Sequence, residues 1–396
     1  MAGIAALVLA YVLSQFYRSF LAVLATVLGR DIGVTPSELA TASGIWFATF
    51  ALAQFPIGYS LDVYGPRLTA ATLLGIAGGG GAALFAMSTS ALTIDIALGL
   101  IGIGCAPVLM AAFYLFARNY SAATFATLSS TFVGVGTLGN VAGSEPLAAA
   151  VDAFGWRATA WALCALTVAT ALVILVAVRD PEKPKHQPGE APKGGFLSIL
   201  KIRELWFIFP IILSGYAVAA GVRGLWAGPI LRDIYGLDML DIGRATLYMA
   251  IALSVGSILY GPLDRLLNSR KRVVVAGNLI VLGVVAYLAS GQPQSVAVIT
   301  TLFVMIGLFG ATYAVQMTHG KAFIPVHLTG RGVTLMNFFS IGGAGLMQLL
   351  SGAVVREFNS PNDPGAGYSA LFTLYAVTLG VSLMIYAFST DARPRS

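Results

Sequence analysis

The chain has 396 residues, 57% of them hydrophobic and only 10% charged, with a formal net charge of +6 at pH 7. A soluble chain of this size carries about a quarter charged residues, so the composition excludes an ordinary soluble enzyme or nucleic-acid binder. It points to an all-α, multi-pass membrane protein, whose backbone polar groups must be satisfied inside helices.

Twelve apolar spans are expected, at residues 4–28, 39–60, 67–89, 91–116, 124–150, 157–178, 205–227, 243–263, 272–290, 296–319, 331–355 and 367–389. Each is near or above the ~20 residues that cross ~30 Å of hydrocarbon. The first is expected to be a retained helix, not a cleaved leader, because it is long, lacks a basic start and contains Arg18. Tyr11, Ser14 and Gln15 precede Arg18 at i−7, i−4 and i−3, a polar stripe expected to face a water-filled cavity. An arginine at that depth costs at least ~2.5 kcal/mol, so it is a candidate for function. The blander alternative pairs it with a backbone carbonyl or with Glu145.

Between the second and third spans lies GYSLDVYGPR, Gly58 to Arg67. Gly58 would let a neighbouring helix approach, and Gly65-Pro66 makes a tight turn. Asp62 and Arg67 are expected at the membrane interface, where a charge pair or helix-end contact can form and break. A plain polar turn that fixes topology is the alternative.

No role is read for the glycine run Gly78 to Gly81 in the third span. Asp95 opens the fourth as a helix N-terminal acid. Glu145 in the fifth is either a proton site or a partner for a loop, and both readings stay open. Gly134, Gly136, Gly139 and Gly143 in that span, and Gly342, Gly343 and Gly345 in the eleventh, suit close, sliding helix contacts. Cys105 and Cys164 read as small apolar filler.

The segment RDPEKPKHQPGEAPKGG, Arg179 to Gly195, has linker composition. The expected organisation is an N-terminal six-helix bundle at 1–178, a cytoplasmic linker at 179–204 and a C-terminal six-helix bundle at 205–396. In the second half, Arg223 sits in GVRGLW with Tyr216 at i−7, and Tyr313 and Gln316 lie deep in the tenth span. Asn337 is a weaker candidate. His319 and Lys321 are expected to snorkel to the interface. The scattered methionines lack the spacing of a metal path, so no metal site is expected. His186, His319 and His327 form no catalytic constellation, and there is no phosphate-binding G-x-x-x-x-G-K-[ST] loop.

The halves repeat. Arg30-Asp31-Ile32 and Leu61-Asp62 recur as Arg232-Asp233-Ile234 and Leu263-Asp264, both at an offset of 202 (233−31, 264−62). Tyr11 and Arg18 recur as Tyr216 and Arg223 at an offset of 205 (216−11, 223−18). This pattern argues for duplication, and two parallel repeats with a substrate site near the bilayer midplane are one transporter plan. Loops on the side of the termini hold sixteen Lys and Arg against five on the other, which places both termini in the cytoplasm.

GYSLDVYGPR resembles the signature loop of the major facilitator superfamily, G-x-x-x-D-x-x-G-[RP]-[RK], at Gly58, Asp62, Gly65, Pro66 and Arg67. Gly261-Pro262-Leu263-Asp264-Arg265 echoes it in the second half, and Gly155-Trp156-Arg157 opens the sixth span as family members often do. The resemblance implies two pseudo-symmetric six-helix bundles, rocker-switch alternating access, and a gate latch formed by Gly58, Asp62, Gly65, Arg67 and Asp264. It also implies that spans one and seven line the central cavity, with Arg18 and Arg223 as a forked cationic clamp for an anion. This looks like the organophosphate–phosphate exchangers, which carry one arginine in each of these helices. The chain departs from proton-coupled members by lacking an arginine near Asp95 and Leu98, and from drug antiporters by displacing the proline after Gly143 to Pro146. Nitrate transporters place their key arginines in spans two and eight, which lack them at depth here.

The expected function is therefore a secondary transporter of a small anion in the inner membrane. Arg18 and Arg223 would bind it and Tyr11, Gln15, Tyr216, Tyr313 and Gln316 orient it. The expected partners are the anion, a coupling ion (a proton or a counter-substrate) and the lipid bilayer, with no nucleic acid and no cofactor, the chain acting as a monomer. The rival readings are a proton-coupled drug or metabolite exporter and a transporter-like sensor without turnover.

Overall fold

The structure, a computed structural model, describes residues 2–120, 128, 131–181, 196–291, 293, 295–325, 328–360, 363 and 365–392. Among the described residues the regular structure is helical, apart from one isolated bridge, Ser360 to Asp363. Ten helices are long and apolar enough to cross a membrane, or eleven if the bent pair Ala2–Phe16 and Leu21–Ile32 counts as one span. The expected fifth span falls partly outside the described residues. What is described of it is a shorter apolar helix, Thr131–Ala142, followed by Glu145–Phe154.

By contact the chain forms two compact units, Met1–Lys185 with Leu237–Leu247, and His186–Gly236 with Tyr248–Ser396. In the first unit, glycines set the packing distances. The helix Pro36–Val63 lies on Ala91–Cys105 where Gly102 meets the Trp46 carbonyl, and Gly104 presses on the backbone of Gly78. The run Gly78 to Gly81, without a role in the sequence, therefore has one. Gly78 and Gly79 end a π-helical stretch, Leu73–Gly79, and Gly81 packs on the Ala97 carbonyl at a would-be Cβ distance of 2.7 Å. Side chains there would force the helices apart. In the fifth span, Gly139 rests on the Val12 carbonyl of the first helix in the same way. The helix Pro36–Val63 starts at a capping box: Thr35 accepts from the Glu38 amide at 3.3 Å while Glu38 accepts from the Thr35 amide at 2.8 Å.

In the second unit, Phe209–Gly221 packs on Thr329–Phe358, with Gly343 against the backbone of Leu213. Arg270–Ala289 packs on Ala366–Ala387.

Two contacts recur in both units and give the sequence repeat a physical meaning. Asp31 accepts from Arg30 Nε at 2.9 Å and from the Trp156 indole at 3.0 Å. Asp233 accepts from Arg232 Nε at 2.6 Å and from the Tyr368 hydroxyl. Each Arg-Asp-Ile motif thus ties the end of its unit's first span to an aromatic that opens its last. At the other end of each unit, an aspartate just past the last helix binds the start of the third. Arg67 N donates to Asp180 Oδ1 at 2.8 Å, and Lys271 N donates to Asp391 Oδ1 at 3.1 Å.

The largest departure from expectation is in the first span. It is not one helix but two, bent by 56° across Tyr17–Phe20. The ladder tightens there: Arg18 N bonds Gln15 O at 3.3 Å and Ser19 N bonds Phe16 O at 3.0 Å, three residues back instead of four. The Ser19 hydroxyl adds bonds to Gln15 O and Phe16 O at 3.4 and 3.2 Å, a known cause of helix bending. Aromatic anchors hold the bend. Tyr17 OH bonds Thr167 Oγ1 at 3.0 Å, and the Phe20 and Phe85 ring centroids lie 5.2 Å apart.

Candidate functional site

The second unit has an irregularity of a different kind, a π-turn without a break, at the position equivalent by the sequence repeat. Tyr17 to Phe20 plus the offset of 205 gives 222–225, and Val222–Trp226 is a π-helical turn. Both arginines singled out from the sequence therefore sit on the irregular turn of their unit's first span. Local π and broken geometry in a helix often marks a functional position.

Arg18 is 9% exposed and Arg223 is 2% exposed. The Arg18 guanidinium lies 4.8 Å from the Phe50 ring and 5.3 Å from Trp46, whose rings stack with centroids 5.1 Å apart. This cation–π cradle stabilises a weakly hydrated guanidinium away from bulk water. Tyr11 OH accepts from Gln15 Nε2 at 3.0 Å and its ring stacks on Phe132 at 5.1 Å. Of the polar stripe predicted around Arg18, Tyr11 and Gln15 bond each other, and aromatics that the sequence did not place there line it.

In the second unit, Tyr216 and Tyr313 rings lie 6.0 Å apart, and Tyr313 OH donates to Asn337 Oδ1 at 2.8 Å. Gln316 is fully buried; its Nε2 donates to Thr312 Oγ1 at 2.9 Å. Asn278 Nδ2 joins the same hydroxyl at 3.1 Å, and the Val274 carbonyl at 2.9 Å. Asn278 escaped the sequence reading, although a single amide inside an apolar span was signal enough. Gln348 escaped it for the same reason. It is fully buried on Thr329–Phe358, and neither Nε2 nor Oε1 has a hydrogen-bond partner among the described residues. An orphaned buried polar group costs about 1–3 kcal/mol.

The gate residues divide. Arg67 Nε lies 3.5 Å from Asp180 Oδ2, alongside the backbone bond from Arg67 to the same carboxylate. Gly65, at φ 86°, is required twice: its backbone is left-handed, and a Cβ would fall 2.7 Å from Asp180 Oδ1. The Asp62 and Asp264 side chains lie outside the described residues. A Cβ on Gly58 would meet nothing described within 4 Å. The expected close helix approach at Gly58 is therefore not seen. Asp180, which the sequence assigned to the linker, is the acid that meets the signature loop.

Glu145 pairs with Arg244 at 3.3 Å, and Arg244 reaches Asp241 at 3.0 Å. All three are solvent-accessible. The stretch Leu237–Leu247 packs with the first unit at this point, with Gly243 against Ala148 and Glu145. His319 does not snorkel. It is fully buried, with Nδ1 at 2.6 Å from Tyr386 OH and Nε2 at 3.0 Å from Thr390 O. A phenol and a carbonyl replace the water that the interface was expected to supply. Lys321 is exposed. Among the described residues no group of three His, Cys, Asp or Glu is placed to hold a metal ion.

An all-helical, multi-pass architecture with a buried arginine on the irregular turn of each unit's first span is the kind of fold that membrane transporters use. Residues 7–348 match the family model described as Major Facilitator Superfamily, and the chain belongs to that family. No curated protein matches by sequence. Among solved structures, the chain is similar to a D-xylose–proton symporter (TM-score 0.77, 15% identity, 98% of each chain covered). It is also similar to a bacterial homolog of the human lysosomal transporter Spinster (0.75, 19%, covering 98% of this chain and 94% of the other). The nucleoside transporter NupG is a third (0.72, 16%, 98% of each). These identities establish the fold alone.

Proposed function

We propose that the protein is a secondary active transporter of a small anion, such as an organic carboxylate or phosphate-like species, with Arg18 and Arg223 binding it. In this reading the chain crosses the inner membrane twelve times as two six-helix bundles with both termini cytoplasmic, acts as a monomer, and works by rocker-switch alternating access. Tyr11, Gln15, Tyr216, Tyr313 and Gln316 orient the anion, and a proton or counter-substrate supplies the driving force. Asp62, Arg67 and Asp264 belong to the gate. Asp180 joins them because its carboxylate binds the signature loop through the Arg67 backbone and guanidinium.

The observation that carries the reading is the repeated pairing of a helix irregularity with a buried arginine, at Tyr17–Phe20 and Val222–Trp226. Intramembrane guanidinium is expensive, and an arginine kept at the same point of two diverged repeats serves both. Forked donors match carboxylate, phosphate and nitrate oxygens.

A thermal-shift screen of purified protein against small anions tests it, because a ligand that binds the folded state raises the midpoint by mass action. One anion class is expected to raise the wild-type midpoint and to leave Arg18→Ala unmoved. An equal response in wild type and variant would make Arg18 a structural residue.

A further inference from the structure

We propose that Gln348 is a further substrate-binding residue, and that it narrows the substrate to anions with a hydroxyl near the charged group. The inference rests on the anion reading above and adds to it the chemistry of the substrate's uncharged part.

Position comes first. The helices Phe209–Gly221 and Thr329–Phe358 run side by side in the same direction, because Leu213 meets Gly343 and, further along both, Trp226 meets Ser351. The second contact is a hydrogen bond, Trp226 Nε1 to Ser351 Oγ, at 3.0 Å. Arg223 precedes Trp226 by three residues, and Gln348 precedes Ser351 by three. Gln348 therefore lies at the level of the π-turn that bears Arg223.

Ser351, three residues on, is committed elsewhere. Ser351 spends its proton on the Gln348 backbone carbonyl at 2.8 Å and accepts the Trp226 indole with its lone pair. Tyr375 presses its hydroxyl on Gly221, at the foot of the same turn. The Gln348 amide is left with two donor protons and an acceptor oxygen, fully buried and without a hydrogen bond among the described residues. An apolar side chain would serve packing better at such a position. A group that both donates and accepts is what a hydroxyl requires, while an anion's oxygens need only the donors Arg223 offers. Together the two residues read an anionic group and a hydroxyl on one small molecule.

The test uses the full-length purified protein in detergent at fixed ionic strength. Thermal midpoints are titrated with two pairs of anions of equal charge, lactate against propionate and malate against succinate, in wild type and in Gln348→Met. Wild type is expected to bind the hydroxylated member of a pair roughly tenfold more tightly, the worth of one good hydrogen bond. In Gln348→Met, which keeps the volume and drops the amide, the two members should converge on the weaker value while the resting midpoint holds or rises. A preference that persists in the variant overturns the assignment. Equal binding of both members by wild type also overturns it, leaves the anion reading standing, and needs no variant. If neither pair moves the wild-type midpoint, this proposal falls, while the anion reading is decided separately by the wider anion screen above.

Discussion

Arg223→Ala is expected to weaken anion binding by roughly 10- to 100-fold, read as the shift in the anion concentration that raises the thermal midpoint. The reason is the burial of Arg223 on a π-turn. Hydrogen bonds from a charged donor are about twice as strong as neutral ones, and a buried site is weakly screened by salt. Arg223→Lys keeps the charge but loses the planar fork, so it should recover only part of the loss. Arg18→Ala is the less clean variant, since it also removes a guanidinium packed against the Trp46 and Phe50 rings. The comparison of the two separates ligand binding from packing. A ligand response that survives Arg223→Ala unchanged would remove this residue from the site.

The second large effect is on the fold. Gly139→Leu is expected to cost about 3 kcal/mol or more, because its first side-chain atom falls on the Val12 carbonyl, 2.8 Å from Phe16 N and 2.9 Å from Gln15 Cβ. Two of those three atoms are backbone and cannot rotate away. Relief would require moving the helix Ala2–Phe16, and with it Tyr11 and Gln15. The variant should therefore lose its monodisperse peak on size exclusion or show a sharply lower midpoint. Gly134→Leu is the control, since a Cβ there meets nothing described within 4 Å. Its profile should match wild type. Equal tolerance of both substitutions would mean that the fifth span does not pack on the first as described.

Most of the fold was legible because a bilayer permits so few solutions. Long apolar runs can only be helices, and their limits agree with the helices to within a few residues over most of the chain. The first span shows where that logic stops. SQFYRSF is apolar enough to read as part of one helix, yet Ser19 bends it by returning its hydroxyl to two carbonyls, and the aromatics Tyr17 and Phe20 anchor the bend. No period or composition announces this, because it depends on Thr167 and Phe85 arriving from other helices.

The repeat was legible as letters before it had a mechanism. Arg-Asp-Ile recurs because each aspartate holds an aromatic from the last span of its unit. The second aspartate of each unit, Asp180 or Asp391, stayed hidden. Both lie in polar flanks after a helix, where an acid looks ordinary, and only the fold brings them to the amides of Arg67 and Lys271. His319 misled for a related reason: a histidine at the end of an apolar helix reads as interfacial until Tyr386 and Thr390 close over it. The amides Asn278 and Gln348 were visible as isolated polar letters in apolar spans, and weighting charge above amide passed over them.

The most direct test of anion transport is uptake by proteoliposomes. With wild-type protein and a gradient of the anion that the thermal screen selects, labelled anion should accumulate. The Arg18→Ala, Arg223→Ala double variant, reconstituted at equal density, should stay at the level of empty liposomes. Uptake of a neutral sugar or nucleoside by wild type, undiminished in the double variant, would contradict the anion clamp and leave the two arginines to the architecture of their helices.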